Sequence, residues 1–345
     1  SMVSDNYKEG EFLRFGSGRL LSDLMEYIGF NNTDCKKKVI FVGDDAQLPP
    51  IGMSTSPALD HQYLESDFGI NVSTAVLTDP VRQKDDSLII KNAHRIRDLL
   101  QSNQRNAFEF EIDNDELVKV EPNQITDSYI DHIKQVNENC TIITYTNDSA
   151  LSYNLAIRKQ LFPEEERIAK GDKIIAVRNH YNAPINIMNG QMGKVKDLEP
   201  TPKIDHVPLN IGKDEKGKRE NISVELKFRK MKIEFRDIYG KPHILSLTVL
   251  ENLLFSKQAS LSSEESKALY VHFANRHKDL KPGSEMFREY LKNDIYFNAL
   301  QIKFAYAITC HKSQGGEWDT VFVDFHGRNK IHDDALRWSY TAVTR

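Results

Sequence analysis

FAYAITCHKSQGGEWDTVFVDF, residues 304 to 325, decides how the rest of the chain is read. Apolar Phe304, Ala305, Tyr306, Ala307 and Ile308 run as a buried strand into a polar turn of Thr309, His311, Lys312, Ser313 and Gln314. Gly315, Gly316 and Glu317 then lead into the β-rich Val321-Phe322-Val323. Open α/β sheets place ligand chemistry just beyond the carboxyl ends of their strands. Hydroxyl, imidazole, amide and bare glycine backbone at such a point approach phosphate groups closely. The competing reading is an ordinary polar loop between two core strands.

A second segment has the same form. Lys36 to Gly43 carries a buried-strand pattern that stops at Asp44-Asp45-Ala46-Gln47-Leu48-Pro49-Pro50. The proline pair ends any regular element. Gln47 offers a neutral amide that both donates and accepts, the group phosphoryl-transfer sites use to position water or sense a terminal phosphate. The alternative is a capped turn, with Asp44 or Asp45 starting a helix. A third segment, Ala335 to Arg345, has helical apolar spacing through Leu336, Tyr340 and Val343. It ends on an arginine, the residue suited to bidentate phosphate contact, although basic residues are favoured near helix C-termini in any case. Leu77 to Gln83, with Arg82, and Thr141 to Asn147, followed by Ala150 and Asn154, complete the set.

In this order the segments resemble motifs III, IV, IVa, V and VI of superfamily 1 helicases. The likeness is closest to the RecD-like branch, which includes the phage Dda helicase and the conjugative relaxase-helicases. Gly43 to Pro50 (GDDAQLPP) and Thr309 to Asp319 (TCHKSQGGEWD) are the strings that carry it. The likeness thins from Pro200 to Tyr296. It implies roles position by position. Gln47, Arg82 and Arg345 would be catalytic, Gln47 sensing the γ-phosphate and the arginines stabilising charge on the transferred phosphoryl group. Gly43, Asp44, Gly316 and Glu317 would lie against the nucleotide. Thr146, Asn147, Thr309, His311 and Ser313 would hold the backbone of single-stranded DNA by neutral contacts that do not read sequence. The implied cofactors are ATP and Mg2+, the implied direction of travel 5′ to 3′, and nuclease or repair subunits are implied further partners.

One part of that machinery has no counterpart. The string G-x-x-x-x-G-K-S/T, whose backbone and lysine cradle phosphates, occurs nowhere; Gly16-Ser17-Gly18-Arg19 lacks the lysine, and Gly217-Lys218 is followed by Arg219. The acidic pair that would hold Mg2+ is also absent before Gly43. Ser1 to Asp5 reads either as the tail of that acidic motif or as a cloning scar plus an initiator methionine. The expectation is a C-terminal portion of a longer enzyme, not competent for ATP hydrolysis by itself. The alternatives are a non-catalytic single-strand-binding module and a viral-type RNA helicase.

With 345 residues the chain has room for two or three domains. Its net charge of −4 argues against a broadly basic nucleic-acid coat but leaves room for a narrow cationic groove. Three cysteines, Cys35, Cys140 and Cys310, show no CxxC pairing. That spacing points to a reducing cytoplasm and no zinc site, and no apolar run reaches the length of a membrane span. Helices are expected over Glu11–Phe30, Asp86–Gln101, Thr126–Asn137 and Ser149–Gln160, and strands over Val39–Gly43, Ile70–Leu77 and Thr141–Tyr145. That alternation indicates a parallel α/β sheet. From about Gly171 the pattern turns to β, with an Asn189-Gly190 hairpin signal and alternation through Val224, Leu226, Phe228, Met231, Ile233 and Phe235. The fold class is therefore α/β, which the likeness casts as RecA-like parallel-sheet domains, the first incomplete, with an inserted SH3-like β-barrel. The expected divisions are 1–74 for the first RecA-like domain, 75–171 with 298–345 for the second, and 172–297 for the insertion with its helical excursion. Trp318 and Trp338 are expected in the core, and loop residues His180 and Tyr181 as plain surface or as base-stacking platforms.

Overall fold

A computed structural model of the chain describes residues 4–5, 16–30, 36–77, 87–102, 109–113, 115–213, 219–325 and 332–345. In chain order the first elements are α1 (Leu20–Ile28), α2 (His61–Phe68), α3 (Leu88–Ser102), α4 (Ile125–Gln135), β1 (Cys140–Thr144) and α5 (Asn147–Leu161). A β-rich run follows: β2 (Lys173–Ala176), β3 (Met192–Leu198), β4 (Lys203–Lys213), β5 (Arg219–Arg236) and β6 (Pro242–Leu250). Then come α6 (Ser263–Arg276), α7 (Glu285–Asn293), β7 (Leu300–Phe304), β8 (Ala307–Thr309), α8 (Cys310–Ser313), β9 (Thr320–Val323) and α9 (Asp333–Val343). The chain divides into two compact units: residues 1–124, 314–317 and 325–345 form one, and 125–313 with 318–324 the other.

The first unit is held by two apolar clusters. Leu21, Met25 and Ile28, spaced on one face of α1, pack with Ala58 and Leu64, and Val39, Phe41, Ile70 and Val72 lie against them. Ile96 and Ala93 of α3 meet Leu336 and Tyr340 of α9, with Ala46 between. Trp338 is fully buried, in edge contact with Phe325. The strands expected at Val39–Gly43 and Ile70–Leu77 are not formed: neither segment has a ladder partner among the described residues. Their period-2 alternation is real, because Val39 and Phe41 pack inward while Ile40 and Val42 are 85% and 82% exposed. Alternation specifies which side is buried; a strand also needs a neighbour for its backbone N–H and C=O groups.

The second unit contains both sheets. In the smaller one, fully buried β1 lies between β8 and β9 and pairs with each in parallel. Helix α5 packs on this sheet, and its buried Asn154 is satisfied on both ends: its amide donates to Ala150 O and Ala307 O, and its carbonyl accepts from the N–H groups of Tyr306 and Ala307. The larger sheet runs β3-β2-β7-β6-β5-β4. An added β3–β5 pairing closes a ring through β2, β3, β5, β6 and β7, with β4 outside it on the long β5. The β6–β7 step is parallel and every other is antiparallel. Helices α6 and α7 cover it, burying Phe273 and Phe287 against Leu226, Phe228 and Leu250. A turn forms at Asn189-Gly190, with Gly190 at φ +94°, but not as a tight hairpin: β2 and β3 are joined by residues 177–191, in which the described pairing is the isolated His180–Ile187 bridge. Mixed α/β architecture with a parallel sheet is thus the class observed. Two buried ion pairs, Arg158–Asp172 at 2.8 Å and Arg229–Glu251 at 2.6 Å, tie β-segment to helix and strand to turn. Tyr306 Oη also donates to Asp172, so that carboxylate is well satisfied.

Candidate functional site

The segment Asp44 to Leu48 makes a tight turn in the first unit, closed by Gln47 N–H on Asp44 O at 3.2 Å and Ala46 N–H on Asp44 Oδ1 at 3.1 Å. Its centre is clamped from two sides. Leu48 N–H donates to Thr341 Oγ1 at 2.8 Å, and Leu48 O accepts from Gln314 Nε2 at 2.8 Å. These bonds aim Gln47 at the C-terminus of α9. There Arg345 Nη2 donates to Gln47 Oε1 at 2.6 Å, while Arg345 Nε is held by Thr341 O at 3.0 Å. Two of the three residues expected to be catalytic are therefore in direct contact; Arg82 lies outside the described residues.

Asp44 is occupied internally. Its carboxylate accepts from Arg97 Nη2 at 2.9 Å, Tyr340 Oη at 2.8 Å and Gln47 Nε2 at 3.3 Å. Burial and the neighbouring Asp44 push the Tyr340 phenol well up, so it stays protonated and donating. Burial works against the Arg97 cation, but Tyr340, Asp44 and Asp45 more than offset it and raise its pKa. Arg97, Tyr340 and Thr341 carry no role in the sequence reading. The one available signal was spacing: Thr341 sits one helical turn before Arg345. Gly43 is exposed, and a Cβ there would meet the Leu59 side chain at 2.8 Å. Gly315 has φ +83°, a conformation suited to glycine; Gly316 is half-buried and the Glu317 side chain is exposed.

In the second unit the expected strand-binding residues gather at the carboxyl ends of β1 and β8, where Thr144 and Thr309 are register partners. Thr146 caps α5: its Oγ1 accepts from Ser149 N–H at 3.0 Å and shares a second hydrogen bond with Ser149 Oγ at 2.9 Å. Asn147 opens the helix and is half-buried. His311 is half-buried, and that burial lowers its pKa, so at neutral pH it is an uncharged donor and acceptor. Thr309 is 9% exposed. Ser313 departs from the expected picture: it is fully buried and its hydroxyl donates to Cys310 O at 2.8 Å, which turns it inward.

No group of three or more His, Cys, Asp or Glu among the described residues is arranged to hold a metal ion. A Mg2+ ion arriving with a nucleotide would take its ligands largely from phosphate and water. A 670 Å³ cavity lined by Glu164 to Lys170, Leu198 to Pro200 and Arg229 contains none of the expected site residues. No described helix is long and apolar enough to cross a membrane.

Residues 304–345 match the family described as the UvrD-like helicase C-terminal domain. That segment spans the strand–turn–strand stretch and Arg345. No curated protein matches the chain. Among solved structures, the Pif1 helicase from Candida albicans is similar at 14% identity with a TM-score of 0.34, over 88% of this chain. The chain spans 60% of the length of that one.

Proposed function

We propose that this chain is the C-terminal portion of an ATP-dependent DNA helicase of superfamily 1, of the RecD-like branch, that travels 5′ to 3′ on single-stranded DNA. The observation that carries the reading is the Arg345–Gln47 contact at 2.6 Å between segments 298 positions apart. A guanidinium with five N–H donors, seated on an amide that both donates and accepts, suits a phosphate whose charge changes. Bound ATP supplies the free energy of hydrolysis. Gln47 and Arg345 would meet its phosphate end, Gly316 and Glu317 its sugar side, and Arg82 would add a second positive charge. Thr146, Asn147, Thr309 and His311 would hold strand phosphates by neutral hydrogen bonds, and Ser313 would act by fixing the turn that carries them. The domain division proposed is 1–74, 75–171 with 298–345, and an SH3-like insertion over 172–297, with ATP, Mg2+ and single-stranded DNA as ligands.

The lack of a G-x-x-x-x-G-K-S/T string favours a second reading, a single-strand-binding module that turns over no nucleotide. The test of the first is ATP hydrolysis and fluorescence anisotropy on the 345-residue chain with labelled oligo-dT and oligo-rU. The expected result is preferential DNA binding without hydrolysis. Strong DNA-stimulated hydrolysis would overturn the account of the phosphate site, and preference for RNA would overturn the DNA assignment. Absence of binding to either would overturn both readings.

A further inference from the structure

Lys303 and Lys312 have no part in the site just proposed, yet both are placed unusually. Alternation along β7 buries Ile302 and Phe304 and sends Lys303 to the opposite side of the strand. Its ammonium donates to Ser256 O at 2.7 Å and to Gln258 O at 2.5 Å. Lys312 follows His311 on α8 and donates to Asn189 Oδ1 in the turn before β3. Among the described residues the partners of both ammonium groups are thus neutral oxygens, and the contacts with Gln258 and Asn189 are open to solvent. Lys303 is pushed down to about 8, first by burial and then by the Lys312 ammonium. Burial also lowers Lys312. Two like charges, half-desolvated and without a carboxylate between them, stand in a field that an anion would relieve.

The surroundings indicate which anion. Lys257, between the two carbonyls that hold Lys303, reaches Asp148 Oδ1 at 2.9 Å in the first turn of α5. Asp148 directly follows Thr146 and Asn147. A line of groups therefore runs from the α5 N-terminus through Lys257 and Lys303 to Lys312, His311 and Asn189, all within the second unit. Its one carboxylate, Asp148, is already paired.

We infer that Lys303 and Lys312 form a phosphodiester-binding pair that extends the single-strand track from the Thr146–Asn147 helix end to the Asn189 turn. The inference rests on the strand-binding reading above. It adds to that reading a charged, salt-sensitive segment among otherwise neutral contacts.

The test is binding of oligo-dT to the 345-residue chain as a function of salt. Each phosphate neutralised on a single strand contributes about 0.7 to the slope of log K against log salt concentration. Lys303→Gln and Lys312→Gln should each flatten the slope by about 0.7, and the double variant by about 1.4. Lys303→Arg and Lys312→Arg should keep most of it, which separates charge from packing. Wild-type binding with an unchanged slope in the double variant would overturn the inference and leave the strand reading intact. Absence of binding by the wild-type chain would overturn both. Competition by pyrophosphate as effective as by unlabelled oligonucleotide would assign the pair to a free phosphate and overturn its place on the strand. Should the glutamine variants fail to fold, the arginine variants decide: lost binding with an unchanged thermal melt overturns the charge argument.

Discussion

At the scale of single residues, the chemistry at Gln47 is governed by bonds to its neighbours. Thr341 anchors two things at once: its hydroxyl holds Leu48 N–H and its carbonyl holds Arg345 Nε. Thr341 is itself fully buried. Thr341→Val keeps the shape but strands a buried donor, so a loss of about 1–3 kcal/mol is expected in urea denaturation. Thr341→Ser retains the hydroxyl and should cost far less. Under the proposed helicase function, Gln47→Ala and Arg345→Ala should each lower kcat steeply, on the order of 10³-fold for the arginine, while DNA affinity stays near wild type. Normal turnover in either variant would remove that residue from the phosphate site. The residue types were legible in the sequence because amide and guanidinium chemistry is local. The occupation of Asp44 by Arg97 and Tyr340 was not, since nothing in the string GDDAQLPP indicates which partners approach it.

At the scale of elements, helices came through more clearly than strands. Helices α3, α4, α5 and α9 lie close to where apolar periodicity and turn residues place them, because a helix closes its own hydrogen bonds. The segments at Val39–Gly43 and Ile70–Leu77 have strand-like alternation but no ladder, because a strand borrows half its bonds from elsewhere. Helix α5 gives an element-level test. Thr146→Ala removes the cap on Ser149 N–H and should destabilise by about 1 kcal/mol, whereas Thr146→Ser should not; oligo-dT anisotropy should follow the same order if the hydroxyl also holds a phosphate. In α9, Trp338→Ala opens a large void beside Phe325 and should cost about 3–5 kcal/mol in thermal or chemical denaturation.

At the scale of the whole molecule, the second unit holds a histidine and carboxylates whose shifts tie stability to pH. His272 stacks on Phe228 and bonds Asp205 Oδ2 at 2.9 Å, while its Nδ1 is buried without a partner among the described residues. Burial lowers its pKa below the ordinary 6.5; Asp205 opposes this, and Arg276 and Lys203 add to it. The folded state therefore resists a proton that the unfolded chain accepts, and this contribution to stability, present above 6.5, is lost as pH falls through the folded pKa. Asp205 and Asp294 shift the other way from burial. Burial alone would raise both, but Lys203 and His272 hold Asp205 down, and Arg276 with backbone N–H groups holds Asp294 down. Their contribution is present above the ordinary carboxylate range and lost as pH drops below it. Denaturation midpoints should fall in two stages between pH 7 and pH 3, and His272→Gln should shrink the upper one, leaving the part carried by His180 and His311, which burial also lowers.

The α/β class, the main helices and the chemical types gathered near phosphate-like sites were determined by the amino-acid string alone, because periodicity and side-chain chemistry act over a few residues. Tertiary structure decided the rest. It seated Arg345 on Gln47, turned Ser313 inward, closed the ring through β3 and β5, and tied Lys303 to the Ser256 and Gln258 carbonyls. Each of these joins groups far apart along the chain or depends on which face a neighbour covers, and only the packed core determines that.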